Sequence, residues 1–204
     1  MVTFASRPFS REQHMAKTGE RKAQILQTLA AMLENPKGER ITTALLAARL
    51  EVSEAALYRH FASKAQMFEG LIEFIEQTVF TLVNKIQSDE KDPMKQVEST
   101  VATLLGFAQK NPGMTRVLIG DALVNEDERL QARVNQLLDR LEASLRQSAR
   151  LAVSAGTLPA DWDVNAYANA VIAFVVGRWH QYAKSGFKRP PMEGWAQQWR
   201  VFAA

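Results

Sequence analysis

Within twelve residues the chain carries Ser53, Glu54, Ala55, Tyr58, Arg59, His60 and Lys64, preceded by a hydroxyl pair at Thr42 and Thr43. Hydroxyls, an imidazole, a guanidinium and an ammonium form a donor set suited to phosphate oxygens and base edges. The rest of the sequence offers no competing chemistry. His14, His60 and His180 lie far apart, and there is no His-Glu-x-x-His, no phosphate-cradling Gly-rich loop and no Gly-x-Ser-x-Gly. Asp89, Glu90 and Asp92 fall close together, but Lys91 and Pro93 break the spacing of a calcium loop. With no cysteine, thiolate metal sites and disulfides are excluded. The residues therefore predict no catalytic group, no metal and no cofactor. Trp162, Trp179, Trp195 and Trp199 suit core or interface packing, or the wall of a small-molecule pocket.

Two short helices must position the donor set. Thr42 or Thr43 can cap the first, whose Leu46, Ala47 and Leu50 recur at helical spacing. The small Ala47 lets a second helix cross closely, and Glu51-Val52-Ser53 forms the turn, with Val52 as an inward plug. Ser53 caps the second helix, which turns Ala56, Leu57 and Phe61 inward and leaves Ala55, Tyr58, Arg59 and His60 outward. Helix, three-residue turn, helix is the helix-turn-helix, whose second helix enters the major groove of DNA.

The segment from Val52 to Lys64, with its Leu-Tyr-Arg-His-Phe core, resembles the recognition segment of the tetracycline-repressor (TetR) family. Many members have Gly where this chain has Glu51, a position that often takes positive φ after a helix. The resemblance implies a DNA-binding head on a dimeric helical body. Thr42, Thr43, Tyr58, His60 and Lys64 would then lie along the phosphates, and Ser53, Glu54, Ala55 and Arg59 nearest the bases.

Charge agrees with that placement. The chain of 204 residues has a formal charge of +3, and residues 1–70 hold ten Lys/Arg against seven Asp/Glu while the remainder is balanced. No apolar run is long enough to span a bilayer, and Arg7, Pro8 and Arg11 interrupt any signal-peptide layout. A cytoplasmic, nucleoid-associated protein without membrane partners is expected.

The periodicity predicts an all-α chain of about nine helices without strands. Residues 1–17 read as a flexible arm, 18–64 as the DNA-binding domain and 65–204 as a helical dimerisation and partner-binding or ligand-binding domain. Lys17, Arg21 and Lys22 could track phosphate or form a solvated basic tail. A first helix runs from Glu20 to Glu34 and stops at Asn35-Pro36-Lys37-Gly38. A long fourth helix starts near Lys64 and is apolar nearly all round, so it needs partners on several sides. A fifth runs from Pro93 to Lys110, a short one from Met114 to Leu123, and a longer one through Leu130, Val134, Leu137, Leu141 and Leu145. In the last long helix, Ala166, Ala170, Phe174, Gly177 and Gln181 share one face, suited either to a dimer interface or to the chain's own core. The TetR resemblance implies the dimer, through a four-helix bundle of the last two helices.

Further segments, Leu71-Ile72-Glu73-Phe74-Ile75-Glu76, Leu104-Leu105-Gly106-Phe107, Asn111-Pro112-Gly113 and Arg129-Leu130-Gln131, resemble the nucleoid-occlusion branch of the family. That resemblance implies binding to palindromic chromosomal sites and inhibition of the tubulin-like division protein. The division protein's carboxy-terminal tail would sit between the fourth and fifth helices, at Phe74, Gly106, Lys110 and Asn111. Leu82 stands where the branch has a basic residue, and Thr103 where it has a larger apolar one. The alternative is a ligand-released repressor with a pocket among the fourth to eighth helices.

Overall fold

A computed structural model describes residues 11–35 and 41–203, and among these the chain is all helical. The elements are α1 (Arg11–Leu33), α2 (Thr43–Arg49), α3 (Glu54–Tyr58), α4 (Lys64–Asp89), α5 (Pro93–Lys110), α6 (Pro112–Leu118), a 3-10 turn (Asp121–Leu123), α7 (Glu128–Ser154), α8 (Val164–Lys184) and α9 (Trp195–Phe202).

α1 begins at Arg11, so residues 11–17 of the expected arm are helix. Arg-Glu-Gln-His-Met-Ala-Lys contains no proline, glycine or β-branched residue, and propensity extends the helix where hydrophobic periodicity gives no signal. Residues 1–10 of that arm, the breaker residues Pro36 to Gly38 and the side chains of His14 and Lys17 lie outside the described residues. Side-chain caps set the starts of α2, α3 and α4. Thr42 Oγ1 accepts from Leu45 N, Ser53 Oγ from Ala56 N and Ser63 Oγ from Gln66 N, at 3.1–3.2 Å. Asp127 caps α7 by accepting from Arg129 N, and the Arg129 guanidinium holds its carboxyl below the usual carboxylate range.

α4 is the shared wall. Met67, Phe68, Leu71, Ile72, Ile75, Val79 and Val83 are buried against the head on one side and against α5 and α7 on the other. Glu76 on α4 accepts from Arg133 at 2.9 Å and Arg140 at 3.1 Å on α7, and Arg140 also stacks 4.0 Å from the Phe80 ring centroid. α8 is stitched to α5 by Trp179 Nε1 donating to the Leu104 carbonyl and by the Tyr182 hydroxyl donating to the Gln109 carbonyl. The α8–α9 connection is held by buried Arg178, whose guanidinium donates to the carbonyls of Pro190, Pro191 and Glu193. Trp179, Trp195 and Trp199 are buried and Trp162 is half-buried, so the tryptophans serve packing.

Among the described residues, α4 and α6 carry the main junction between head and body. α4 runs from one into the other without interruption, and α6 lies hard against α1. A Cβ at Gly113 would run into the Ala30 carbonyl oxygen. One turn on, Arg116 Nη1 donates to the Leu33 and Asn35 carbonyls at 3.2 and 3.1 Å, closing the end of α1. α6 stops at Leu118 rather than Leu123, because Gly120 at φ 78° turns the chain into a separate 3-10 turn.

Candidate nucleic-acid interface and partner groove

The head owes its geometry to the turn between α2 and α3. Val52 N donates to Ala47 O at 3.0 Å and Glu51 N to Ala48 O at 3.1 Å, the paired bonds of a Schellman motif. Glu51 takes the left-handed position at φ 54°, a conformation glycine would hold with less strain. Val52 is half-buried against the core as the expected plug, while Leu46, Ala47 and Leu57 are buried.

On the outer side Thr42, Ser53, Glu54, Ala55, Tyr58 and Arg59 are exposed and Thr43 is half-buried. The start of α2 and the whole of α3 are joined by side chains: Thr43 Oγ1 donates to Glu54 Oε2 at 2.6 Å, and the Tyr58 hydroxyl lies 3.4 Å from Thr43 Oγ1 as donor. His60 is half-buried, and its Nδ1 is buried without a partner among the described residues. Lys64, expected along the phosphates, has a partner within the chain. Its ammonium is ion-paired with Glu126, in the connection before α7, and lies 5.7 Å from the Phe68 ring centroid. Glu126 stands 62 residues further along the chain, and nothing in the local sequence announces the pair. Arg21 donates to Gln24 and Lys22 lies 5.5 Å over the Phe61 ring, so these two cations lean on the head's own helices.

Of the residues expected to form a partner groove, Phe74, Gly106, Lys110 and Asn111, none lines the hollow that lies between α4 and α5. Phe74, Leu82 and Lys85 on α4 are exposed, and on α5 Gly106 and Thr103 are half-buried while Lys110 is exposed. Leu82, Lys85, Ile86, Ser99 and Thr103, with Asp89 and Glu90, line a hollow of about 330 Å³ between the two helices. A Cβ at Gly106 would meet nothing within 4 Å, so the surface there is open. Asn111 is partly committed, since its Nδ2 donates to the Phe107 carbonyl at 2.7 Å and closes α5. Phe74 borders not that hollow but a different one of about 350 Å³, shared with Lys22, Leu26 and Phe61 of the head. Lys85 escaped the sequence reading, although its position three residues beyond Leu82 puts it on the same helix face.

On α8, Ala166, Ala170 and Gln181 are exposed and Gly177 is half-buried, while Val171 and Val175 are buried in the chain's own core. Phe174 is half-buried because α9 covers it, with its ring 6.0 Å from Trp195 and 5.1 Å from Phe202.

Residues 37–71 match the model of the bacterial regulatory proteins of the tetR family, and residues 91–204 match the SlmA-like model of the tetracyclin repressor-like C-terminal domain. The nucleoid occlusion factor SlmA of Alteromonas mediterranea is 52% identical over 188 residues, spanning 91% of this chain and 95% of that protein. The chain belongs to the nucleoid occlusion factor family. Its Marinomonas counterpart is 51% identical, over 92% of this chain and 95% of that one. Among solved structures, a TetR transcription regulator from Haloarcula marismortui superposes with a TM-score of 0.77 at 15% identity, covering 91% of this chain and 97% of that one. A TetR family regulator from Thermus thermophilus gives 0.72 at 20% identity, covering 88% and 96%. These two establish the fold alone. As a member of that family the chain is a DNA-binding regulator rather than an enzyme. No helix among its described residues is long and apolar enough to cross a membrane.

Proposed function

We propose that the protein dimerises through α8 and α9, binds palindromic chromosomal sites with two α3 helices, and in that state restrains assembly of the tubulin-like division protein. The observation that carries this reading is identity of about half over nine-tenths of the chain to nucleoid occlusion factors, together with an open groove between α4 and α5. The small exposed face of α8 supports the dimer, which would carry the heads about 34–36 Å apart, or a multiple of that, to meet successive major grooves.

The groove suits an extended acidic peptide. Phe74 and Leu82 offer exposed apolar surface, 47% and 41% accessible, and Gly106 leaves room for a main chain. Lys110 favours a carboxylate, and Lys85 brings to the hollow the cation that Leu82 does not supply. Asp89 and Glu90 border the same hollow and oppose it, so binding by the free protein should be weak, about −5 to −6 kcal/mol. DNA strengthens it by setting several copies side by side.

The test is titration of a labelled carboxy-terminal tail of the division protein, with and without operator DNA. Gly106→Glu should abolish peptide binding and leave both DNA affinity and melting temperature unchanged, since the new side chain enters open space. Absence of binding by the unaltered protein in both states would remove the division protein as partner.

A further inference from the structure

α3 carries one carboxylate, Glu54 at its first residue, and a carboxylate facing a phosphate-lined surface needs a reason. In the free protein its charge is met by Thr43, whose hydroxyl donates to it at 2.6 Å, a short charge-assisted bond. The Tyr58 hydroxyl in turn points its proton at Thr43. A threonine hydroxyl has one proton to give, while carboxylates and phosphates only accept. Thr43 therefore cannot donate to Glu54 and to a phosphate at once. When the head seats on DNA and Thr43 turns to the backbone, Glu54 loses its donor at the moment it meets the base edges.

From this proton count we infer that Glu54 is a specificity-determining residue that selects a cytosine in each half-site, and that Thr43 couples this choice to the phosphate contact. The inference rests on the reading that α3 lies in the major groove. There the donors are the exocyclic amino groups of cytosine and adenine. Adenine sets its N7 acceptor beside the amino group, where it repels a carboxylate; cytosine has no such neighbour. The favourable seat of an acid at the start of a helix also explains Glu54 in the free head, but it predicts no base preference.

The experiment compares unaltered protein, Glu54→Ala and Glu54→Gln on a set of duplexes in which each base pair of the half-site is varied in turn. Melting temperatures establish that both variants fold. The unaltered protein should reject a wrong base at one position by roughly 5- to 150-fold. Glu54→Ala should lose that discrimination while binding unrelated DNA more tightly, because a negative charge has left the phosphate-facing surface. Glu54→Gln should move the preference at that position towards adenine, whose paired donor and acceptor match an amide. Thr43→Val should weaken all sequences and, with Glu54 present, also change the preference at that position; in the Glu54→Ala background that change should vanish. A folded Glu54→Ala protein that keeps every base preference overturns the inference while the DNA-binding reading stands. Failure of the unaltered protein to distinguish any palindrome from random DNA removes both.

Discussion

The ion pair between Lys64 and Glu126 sets the terms on which the head can use its lysine. If Lys64 serves a phosphate, it must first leave Glu126, so Glu126→Gln should tighten DNA binding. The side chains are 23% and 15% exposed, which shields the pair more than a typical surface bridge. Exposed pairs are worth about 0.2–1 kcal/mol, and this one belongs at the top of that range. Removing it should therefore release about 1 kcal/mol per head and about 2 kcal/mol per dimer, or roughly 30-fold in affinity. Because the gain is in a phosphate contact, it should apply equally to operator and random DNA, leaving their ratio unchanged. Free Glu126→Gln protein should be less stable by about 1 kcal/mol. Fluorescence anisotropy over a range of salt concentrations, beside thermal unfolding, reads both effects. Should Glu126→Gln and Lys64→Ala each leave DNA affinity within twofold of the unaltered protein, the pair persists on DNA and Lys64 touches no phosphate.

Three further expectations follow from the geometry. Glu51→Gly should raise stability by about 1 kcal/mol, seen as a higher melting temperature, because glycine holds the left-handed turn position without the Cβ clash. Ala170→Glu should yield monomers in sedimentation and lose palindromic DNA; it is a cleaner probe than Phe174→Asp, which would unseat the rings of α9 as well. Burial pushes Tyr167, whose hydroxyl donates to the Phe202 carbonyl, up to about 12. The raised value favours the protonated form in the fold, so that stabilisation is intact below pH 10, the unfolded value, and lost as pH climbs towards 12. Unfolding in denaturant across that window tests it, with Tyr167→Phe expected to remove that part of the alkaline loss.

What could be read from the sequence is what neighbouring residues decide. Thr42 and Ser53 cap as expected because a cap is a bond between residues three apart, and Pro93 and Lys110 bound α5 because Asp92, Pro93 and Asn111 lie beside them. For Glu51 the family resemblance left two outcomes open, a strained residue or a slightly different turn, and the positive φ is the first of them. The partner of Lys64 and the covering of Phe174 by Trp195 and Phe202 were not, since each joins segments whose separation along the chain carries no periodic signal. Residues 11–17 were missed by the opposite route: they are good helix formers without an apolar stripe, and a stripe is what marks a helix as packed. In the groove, Asn111 was legible as a breaker but not as a committed cap.

The contact of Gly113 with the carbonyl of Ala30 bears on how such proteins diverge. A reading head that hung from α4 alone could be exchanged between relatives as a separate module. Here α1 is gripped by α6, and the grip needs a bare Cα at Gly113 and a guanidinium at Arg116 that recognises the last carbonyls of α1. A transplanted head would have to bring an α1 of matching length and pitch or be held at one point only. If the protein dimerises on palindromic sites as proposed, the same grip would make the dimer a stiff calliper, penalising an inserted base pair between half-sites at both heads where a changed letter is penalised at one, so drift in binding sites should alter letters before spacing.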